Sequence, residues 1–245
     1  MLTKARFMRK MKSGEVIAGQ SVGHITFSGD ELNQFNMQGV RFNACQFVDC
    51  IIDQANFNNA TFEHCTFRST LINHCQLNTS LFIHCVIEDV KFNNVLANSM
   101  RLTETSINSA LFNHCECNDM SIGDSQFINF KANNTSFSSL NAVNFIMEQA
   151  EFSDCNLVFA NFYEIESRSI SFSSVKMTGC TFSKSKLIKY KFLNVKAINL
   201  SISDSQLAHS IITDSDFTLA DFTKSNLLSL KFERVNFKKG IYIAG

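Results

Sequence analysis

Cysteine and histidine are the residue types of this chain best suited to metal or redox chemistry, and their spacing is regular. Eight of the nine cysteines lie at positions divisible by five, and four of the six histidines directly precede a cysteine, as in His64-Cys65 and His84-Cys85. Thiolate and imidazole groups are common zinc ligands. Neighbouring side chains of an extended backbone point in opposite directions, so each pair would be divided between the outside and the inside. We therefore expect no metal and no cofactor, and interpret the cysteines as small apolar residues that fill a narrow interior.

These cysteines belong to a repeat with a period of five residues. Every fifth residue from Val22 to Tyr242 is apolar except Ser167, and 20 of the 25 phenylalanines occupy this frame. A second register, two residues earlier in each five, holds mostly small or apolar residues, and Asp30 is the only charged residue in either register. Such a period fits neither an amphipathic helix nor a plain strand. It predicts a solenoid in which both registers point inward and polar residues form a turn in each unit.

Composition excludes several classes of protein. The chain of 245 residues has no proline and only 9 glycines, and 45% of its residues are apolar. Disorder is therefore not expected, and neither is a loop-rich enzyme, because loops use proline and glycine for special backbone angles. No run of 18 apolar residues predicts a transmembrane helix. The basic N-terminus lacks the apolar stretch of a signal peptide, so we expect a cytoplasmic protein with reduced thiols.

The units Ala55-Asn56-Phe57, Ala160-Asn161-Phe162 and Ala220-Asp221-Phe222 resemble the A-[D/N]-[L/F]-x-x motif of the pentapeptide-repeat family. The resemblance covers about nine tenths of the chain. It implies an all-β fold, a right-handed four-sided parallel β-helix with four pentapeptides in each coil. The repeat would then form about 11 coils and a rod on the order of 53 Å long. We expect residues 1–19 to form a basic cap or tail and residues 20–245 a single β-helix.

The zero net charge conceals three unequal blocks. Residues 1–12 carry a net charge of +5, residues 13–165 carry −11, and residues 166–245 carry +6. The last block contains a basic belt within about one coil of the predicted helix: Lys184, Lys186, Lys189, Lys191 and Lys196. The pattern predicts a rod with an acidic middle and a basic C-terminal part, and such a field favours charged partners.

The two ends of a solenoid expose its core unless something covers them. At the start, Leu2, Phe7, Met8 and Met11 predict an amphipathic cap, although the same basic segment would also suit a secretion signal. At the other end the repeat continues almost to the last residue, with an apolar final coil. This coil predicts either a contact with a partner or an end-to-end homodimer, through Phe232, Phe237, Ile241, Tyr242 and Ile243.

No phosphate-binding loop, zinc-protease motif or nucleophile elbow occurs in the sequence. A solenoid filled by its own side chains offers no concave pocket of the kind that enzymes use. We therefore predict a binding protein that is not an enzyme and that does not bind nucleic acid directly.

The family resemblance implies a specific function. The chain resembles the topoisomerase-protection members of the family, of the Qnr and microcin-immunity types, which act as dimeric rods that mimic duplex DNA. The expected partner is then DNA gyrase or topoisomerase IV, with consequences for antibiotic or toxin resistance. Outward acidic residues would form the contact, and the candidates are Glu63, Glu88, Asp89, Glu104, Asp119, Asp124, Glu148 and Asp154.

An alternative function remains open from the sequence. The chain would then be a protein-interaction scaffold or the repeat domain of a secreted bacterial effector delivered to a host cell. In that case the basic belt would dock an acidic partner protein or an anionic membrane surface.

Overall fold

The described structure, a computed structural model, covers residues 3–15 and 17–239. Its repeating unit is the predicted one. In coils 2 to 10 each five-residue unit places its second and fifth residues inside, and its fourth residue has a positive φ. Every fifth residue from Gly19 to Lys239 has this left-handed conformation, which asparagine, aspartate, histidine and glycine adopt most readily. The turn composition that the sequence repeats is therefore the composition that this backbone requires.

Four units form one coil, because paired residues are always 20 positions apart, as in Phe42 and Phe62. We number the coils from residue 21, so that coil 1 is 21–40, coil 3 is 61–80 and coil 11 begins at residue 221. Three sides of the coil form parallel sheets of ten strands each, here called sheets 1, 2 and 3. The fourth face is joined mainly by single-residue bridges such as Asn56 with Gln76. The all-β solenoid of about 11 coils is thus confirmed.

The strands of all three sheets have three residues each. Sheet 1 contains β1 (Ser21–Gly23), β3 (Arg41–Asn43), β6 (Thr61–Glu63), β9 (Leu81–Ile83), β12 (Arg101–Thr103), β15 (Ser121–Gly123), β18 (Asn141–Val143), β21 (Asn161–Tyr163), β24 (Thr181–Ser183) and β27 (Ser201–Ser203). Sheet 2 contains β2 (Thr26–Ser28), β4 (Gln46–Val48), β7 (Thr66–Arg68), β10 (Val86–Glu88), β13 (Ser106–Asn108), β16 (Gln126–Ile128), β19 (Ile146–Glu148), β22 (Glu166–Arg168), β25 (Lys186–Ile188) and β28 (Gln206–Ala208). Sheet 3 contains β5 (Ile51–Asp53), β8 (Leu71–Asn73), β11 (Lys91–Asn93), β14 (Leu111–Asn113), β17 (Lys131–Asn133), β20 (Glu151–Ser153), β23 (Ser171–Ser173), β26 (Lys191–Leu193), β29 (Ile211–Thr213) and β30 (Lys231–Glu233).

The interior is one continuous apolar core with stacked phenylalanines. The rings of Phe47 and Phe67 lie 4.6 Å apart and nearly parallel, and those of Phe162 and Phe182 have the same spacing. Ser167, the exception in the central register, is buried and its hydroxyl lies 2.6 Å from that of Tyr190 in the next coil. Two polar residues therefore satisfy each other inside the core, as buried hydroxyls must.

The N-terminal end of the core is covered by a helix, α1 (Lys4–Lys12). Its Phe7 is fully buried and packs edge-on against Phe27, with ring centroids 5.3 Å apart. Lys4 pairs with Asp30 at 2.5 Å, so the charged residue in the inward register has a partner on the helix. Leu2, which the sequence placed in the same cap, lies outside the described residues.

Candidate binding surfaces

Eight of the cysteines occupy the fifth position of a unit and Cys117 occupies the second, and all nine are free and buried. Their thiols lie close to backbone carbonyls, as Cys65 Sγ does to the carbonyl of Phe42 at 3.5 Å. Burial raises the pKa of Cys75 to about 11 and that of Cys155 to about 11. Such thiols are protonated at neutral pH and therefore poor nucleophiles and poor metal ligands. The pKa of Cys85 shifts the other way, because a hydrogen bond with the Cys65 thiol lowers it.

All six histidines occupy the left-handed turn position, which accounts for their shared spacing without any ligand. The rings of His64 and His84 stack with centroids 4.8 Å apart, and His84 Nδ1 lies 3.2 Å from a Glu104 carboxylate oxygen. Within residues 3–15 and 17–239, no group of three or more histidine, cysteine, aspartate or glutamate residues could hold a metal ion.

The eight candidate acids are not evenly spread around the rod. Two of them lie on the side of sheet 3 and the fourth face, Asp154 and Asp119. The other six lie on sheets 1 and 2 or in the turns that end their strands: Glu63, Glu88, Asp89, Glu104, Asp124 and Glu148. Because these two sheets adjoin, the coiling brings most of the candidates to one side.

Two further acids, Glu164 and Glu166, continue this side into coil 8. We call the set of eight on sheets 1 and 2 in coils 3 to 8 the acidic edge: Glu63, Glu88, Asp89, Glu104, Asp124, Glu148, Glu164 and Glu166. Each of these six coils contributes at least one carboxylate. With three arginines on the same two sheets, the net charge is −5, whereas sheet 3 and the fourth face over the same coils carry four acids and three lysines, a net charge of −1.

Part of the acidic edge is already paired. Glu88 binds Arg68 at 2.8 Å, and Glu166 binds Lys186 at 2.7 Å. In the described residues Asp89 and Glu148 have no lysine or arginine within ion-pair distance, and Asp124 accepts a hydrogen bond from the Asn144 amide at 2.5 Å. These carboxylates keep their charge available for an incoming basic surface.

The basic belt surrounds the rod at coil 9 rather than forming one patch. Lys184 and Lys186 lie on sheets 1 and 2, and each approaches a glutamate of the preceding coil, coil 8. The Lys184 ammonium lies 3.8 Å from Glu164, and that of Lys186 lies 2.7 Å from Glu166. The Lys184 ammonium also donates to the Tyr163 hydroxyl at 2.6 Å. Three members of the belt have no acidic partner within 4.0 Å among the described residues: Lys189, Lys191 and Lys196. Lys189 lies in the turn that ends a strand of sheet 2, Lys191 on sheet 3 and Lys196 on the fourth face, so the uncompensated positive charge spans three sides of coil 9.

The two ends of the rod differ in how far the apolar core is covered. Phe232, in the last described coil, is 43% exposed, and Phe237 is half-buried with its ring 4.9 Å from that of Phe232. The other predicted contacts of this end, Ile241, Tyr242 and Ile243, lie outside the described residues.

One exposed aromatic was missed in the sequence. Phe159 occupies the left-handed turn position with φ 60° and is 65% exposed. Its ring lies over Gly179 of the next coil, where an added Cβ would come within 2.6 Å of it. The signal was available, because Phe159 is the only phenylalanine or tyrosine at the fourth position of a unit.

The surface has shallow grooves along its corners. A groove of about 350 Å³ lies where sheet 2 meets sheet 3, lined by Gln149, Glu151, Ser169, Ile170, Ser171, Lys189 and Lys191. A second, of about 230 Å³, crosses sheet 2 beside Ile146, Glu166 and Lys186. Both are lined by outward residues of the repeat. No helix in the described part of the chain is long and apolar enough to cross a membrane.

Comparison with protein families confirms the resemblance. Residues 145–222 match the family model described as pentapeptide repeat region. Residues 16–92 match a second model, described as SV2A/B/C luminal domain. No curated protein matches the sequence.

Solved structures with similar folds include two pentapeptide-repeat or resistance proteins. HetL, a pentapeptide repeat protein involved in heterocyst differentiation regulation from the cyanobacterium Nostoc sp. strain PCC 7120, is 11% identical, with 99% of this chain and 100% of that chain covered and a TM-score of 0.39. Full-length QnrB1, a plasmid-mediated fluoroquinolone resistance protein, is 16% identical, with coverages of 86% and 93% and a TM-score of 0.41. A family 28 exopolygalacturonase from Yersinia enterocolitica is 9% identical, with coverages of 83% and 47% and a TM-score of 0.41. These likenesses concern the fold alone.

Proposed function

We propose that this chain is a binding protein without catalytic activity that uses its acidic edge to occupy a basic cleft of a protein partner. In support, residues 145–222 match the pentapeptide repeat region, and the five-residue frame runs through coils 1 to 11. The partner we propose is a type II topoisomerase, DNA gyrase or topoisomerase IV. Binding would protect or modulate that enzyme against an antibiotic or a toxin.

The acidic edge is the observation that carries this proposal. A rod that offers one or two carboxylates in each of six consecutive coils presents negative charge without a gap along that length. Six coils at about 4.8 Å per coil extend over about 29 Å. Eight carboxylates over that length give about one per 3.6 Å, close to the ~3.4 Å between phosphates along one DNA strand.

The charge density of the acidic edge also limits how closely it can imitate DNA. Duplex DNA carries about one charge per 1.7 Å of axis. After the three arginines are counted, the edge carries one net charge per ~6 Å. We therefore propose that the edge imitates one strand of the duplex and that shape and hydrogen bonds contribute the rest of the recognition.

The cysteines and the open end support two further parts of the proposal. Nine buried free thiols suit a reducing compartment such as the cytoplasm. An end with Phe232 and Phe237 partly exposed suits an isologous contact between two copies, since such contacts bury the same apolar patch on both subunits. We propose a dimeric rod joined at its C-terminal coils.

A supercoiling assay tests the function. Relaxed plasmid is incubated with gyrase and ATP, with and without a quinolone, over a series of concentrations of this protein. We expect supercoiling activity to be restored in the presence of the quinolone, or inhibited in its absence, at micromolar protein. Decatenation by topoisomerase IV is measured in the same way, and no effect on either enzyme at a large molar excess of this protein would refute the proposal.

A further inference from the structure

Phe159 has a conformation and an exposure that folding does not explain. A bulky residue in the left-handed region is strained, and a phenylalanine that is 65% exposed contributes little burial. Gly179 provides the flat backbone on which the ring rests, because a side chain there would collide with it. Two residues 20 positions apart thus hold one aromatic ring on the outside of the rod, where it is available for contact.

Other apolar residues follow Phe159 down the fourth face. Val158 lies beside it and is half-buried, Ile198 is half-buried two coils below, and Leu219 is 43% exposed three coils below. In coils 1 to 6 the equivalent positions, 20 residues apart, hold mostly asparagine, serine and threonine. There the Asn98 backbone N–H donates to the Asn78 side-chain oxygen at 2.9 Å, as part of a ladder from coil to coil. Exposed apolar side chains are therefore concentrated in coils 7 to 10 of this face, and the earlier coils present Leu96 in coil 4, which is 39% exposed.

Lysines lie on the same part of the face. Lys176 and Lys196 form one column about two residues across from the apolar one, and Lys238 and Lys239 lie at its lower end. All four are exposed, and none has an acidic partner within 4.0 Å among the described residues. The acid on this part of the face, Asp216, is occupied by the Thr218 backbone N–H at 3.0 Å and by the Asn236 amide at 3.1 Å.

We propose that the fourth face from coil 7 to coil 11 is a docking surface for an anionic membrane surface. We call it the basic apolar face: Val158, Phe159, Lys176, Lys196, Ile198 and Leu219, with Lys238 and Lys239 below. Lysines attract anionic headgroups, and the exposed side chains of Phe159 and Leu219, with the half-buried Ile198 between them, insert at the boundary with the acyl chains.

Shape and charge distribution favour a membrane over an acidic peptide. A peptide needs a groove, and the grooves lie on sheet 2, at its corner with sheet 3 and, with about 430 Å³, where sheet 3 meets the fourth face beside Lys196. Asp214 and Asp216 line this last groove, so its own carboxylates disfavour an acidic peptide. The fourth face is a stack of similar units and suits a flat partner. It also lies opposite sheet 2, so that when this face rests on the membrane Glu88 and Glu148 point away from the negative surface. The acidic edge would remain free for a protein partner.

Co-sedimentation with vesicles tests this proposal. The full chain is mixed with vesicles of phosphatidylcholine alone and of phosphatidylcholine with phosphatidylserine, over a salt series. We expect binding only to the vesicles with phosphatidylserine, weakening as salt rises. Lys176→Gln with Lys196→Gln should lower the partition coefficient by about 25-fold, because each lysine near such a surface is worth about fivefold. Phe159→Asn should lower it by up to about tenfold.

Matched variants on the upper coils serve as controls. Lys91→Gln with Arg101→Gln removes the same charge from sheets 3 and 1, and Val86→Asn replaces an apolar residue that is 42% exposed on sheet 2. Both should bind like the parent, and all variants are checked for an unchanged circular dichroism spectrum and Tm. Equal losses in test and control variants, or no binding to phosphatidylserine at low salt, would overturn the proposal. Binding to immobilised polyglutamate but not to vesicles would also overturn it and would assign the face to an acidic protein.

Discussion

The acidic edge and the basic apolar face are built on the same interior but differ in almost every outward residue. Glu148 and Phe159 belong to the same coil, yet one lies on the acidic side and the other begins the basic apolar side. Beneath both, phenylalanine, leucine and isoleucine alternate with small residues in one core. The second and fifth residues of each unit therefore build the scaffold, and only the first, third and fourth residues are free to vary with function.

The largest effect should come from the shared core, and it should be the same in coil 3, at the level of the acidic edge, and in coil 9, at the level of the basic apolar face. Phe62 and Phe182 occupy equivalent central positions in sheet 1 and are almost fully buried. We expect Phe62→Ala and Phe182→Ala each to lower the free energy of unfolding by about 3–5 kcal/mol. Denaturant unfolding followed by circular dichroism measures this. A cost several kcal/mol larger in one region would show that the two cores are not equivalent.

The buried pair of Ser167 and Tyr190 is a local departure from that equivalence. Ser167→Ala leaves the Tyr190 hydroxyl without its partner at 2.6 Å, and we expect a loss of about 1–3 kcal/mol. The double variant Ser167→Ala with Tyr190→Phe removes both polar groups and should recover much of that loss. A double-mutant cycle on thermal unfolding gives the coupling. Additive losses would contradict a direct interaction.

Phe159 and Gly179 should behave as one unit of the basic apolar face. Gly179→Ala places a Cβ in a left-handed conformation and against the Phe159 ring, so we expect a loss of about 1–2 kcal/mol. Phe159→Asn alone should be neutral or stabilising by about 0.5 kcal/mol, because asparagine tolerates this conformation. In the Phe159→Asn background the cost of Gly179→Ala should fall. An unchanged cost, measured by thermal unfolding, would mean that the ring does not rest on Gly179.

The smallest effect concerns exposed acids outside the acidic edge. A hydrogen bond from His74 lowers the pKa of Asp53, and one from Arg234 lowers the pKa of Asp214, relative to the ordinary value of 3.8. A carboxyl whose pKa is lowered by folding stabilises the native state above its unfolded pKa, and this contribution disappears as the pH falls through the folded value. We expect Asp214→Asn to make the fall of Tm below pH 4 slightly less steep. An identical pH profile would contradict the pairing with Arg234.

Much of the fold was predictable from the sequence because one period governs it. The positions of Phe62, Cys65 and their equivalents follow from the five-residue frame, and the family resemblance added the number of units in a coil. The backbone reason for the outward pattern was less accessible: His64 and His84 are explained by the left-handed turn, which periodicity alone does not reveal.

The candidate surfaces were harder to predict. The grouping of Glu63, Asp124 and Glu148 on one side becomes visible only when the sequence is divided into coils of 20 residues rather than into units of five. Ser167 was noticed as an exception, but its partner Tyr190 is 23 residues away. Phe159 was not predicted because the five-residue pattern describes the apolar residues that point inward, and this residue points outward.

The affinity of a type II topoisomerase for two matched variants tests the central claim most directly. The edge variant carries Glu63→Gln, Asp124→Asn and Glu148→Gln, and the control variant carries Glu31→Gln, Glu116→Gln and Asp154→Asn on sheet 3 and the fourth face. Each removes three negative charges, so the net charge of the two proteins is the same. We predict at least a tenfold loss of affinity for the edge variant and less than a twofold change for the control. Equal affinities for the two variants would contradict the assignment of function to the acidic edge.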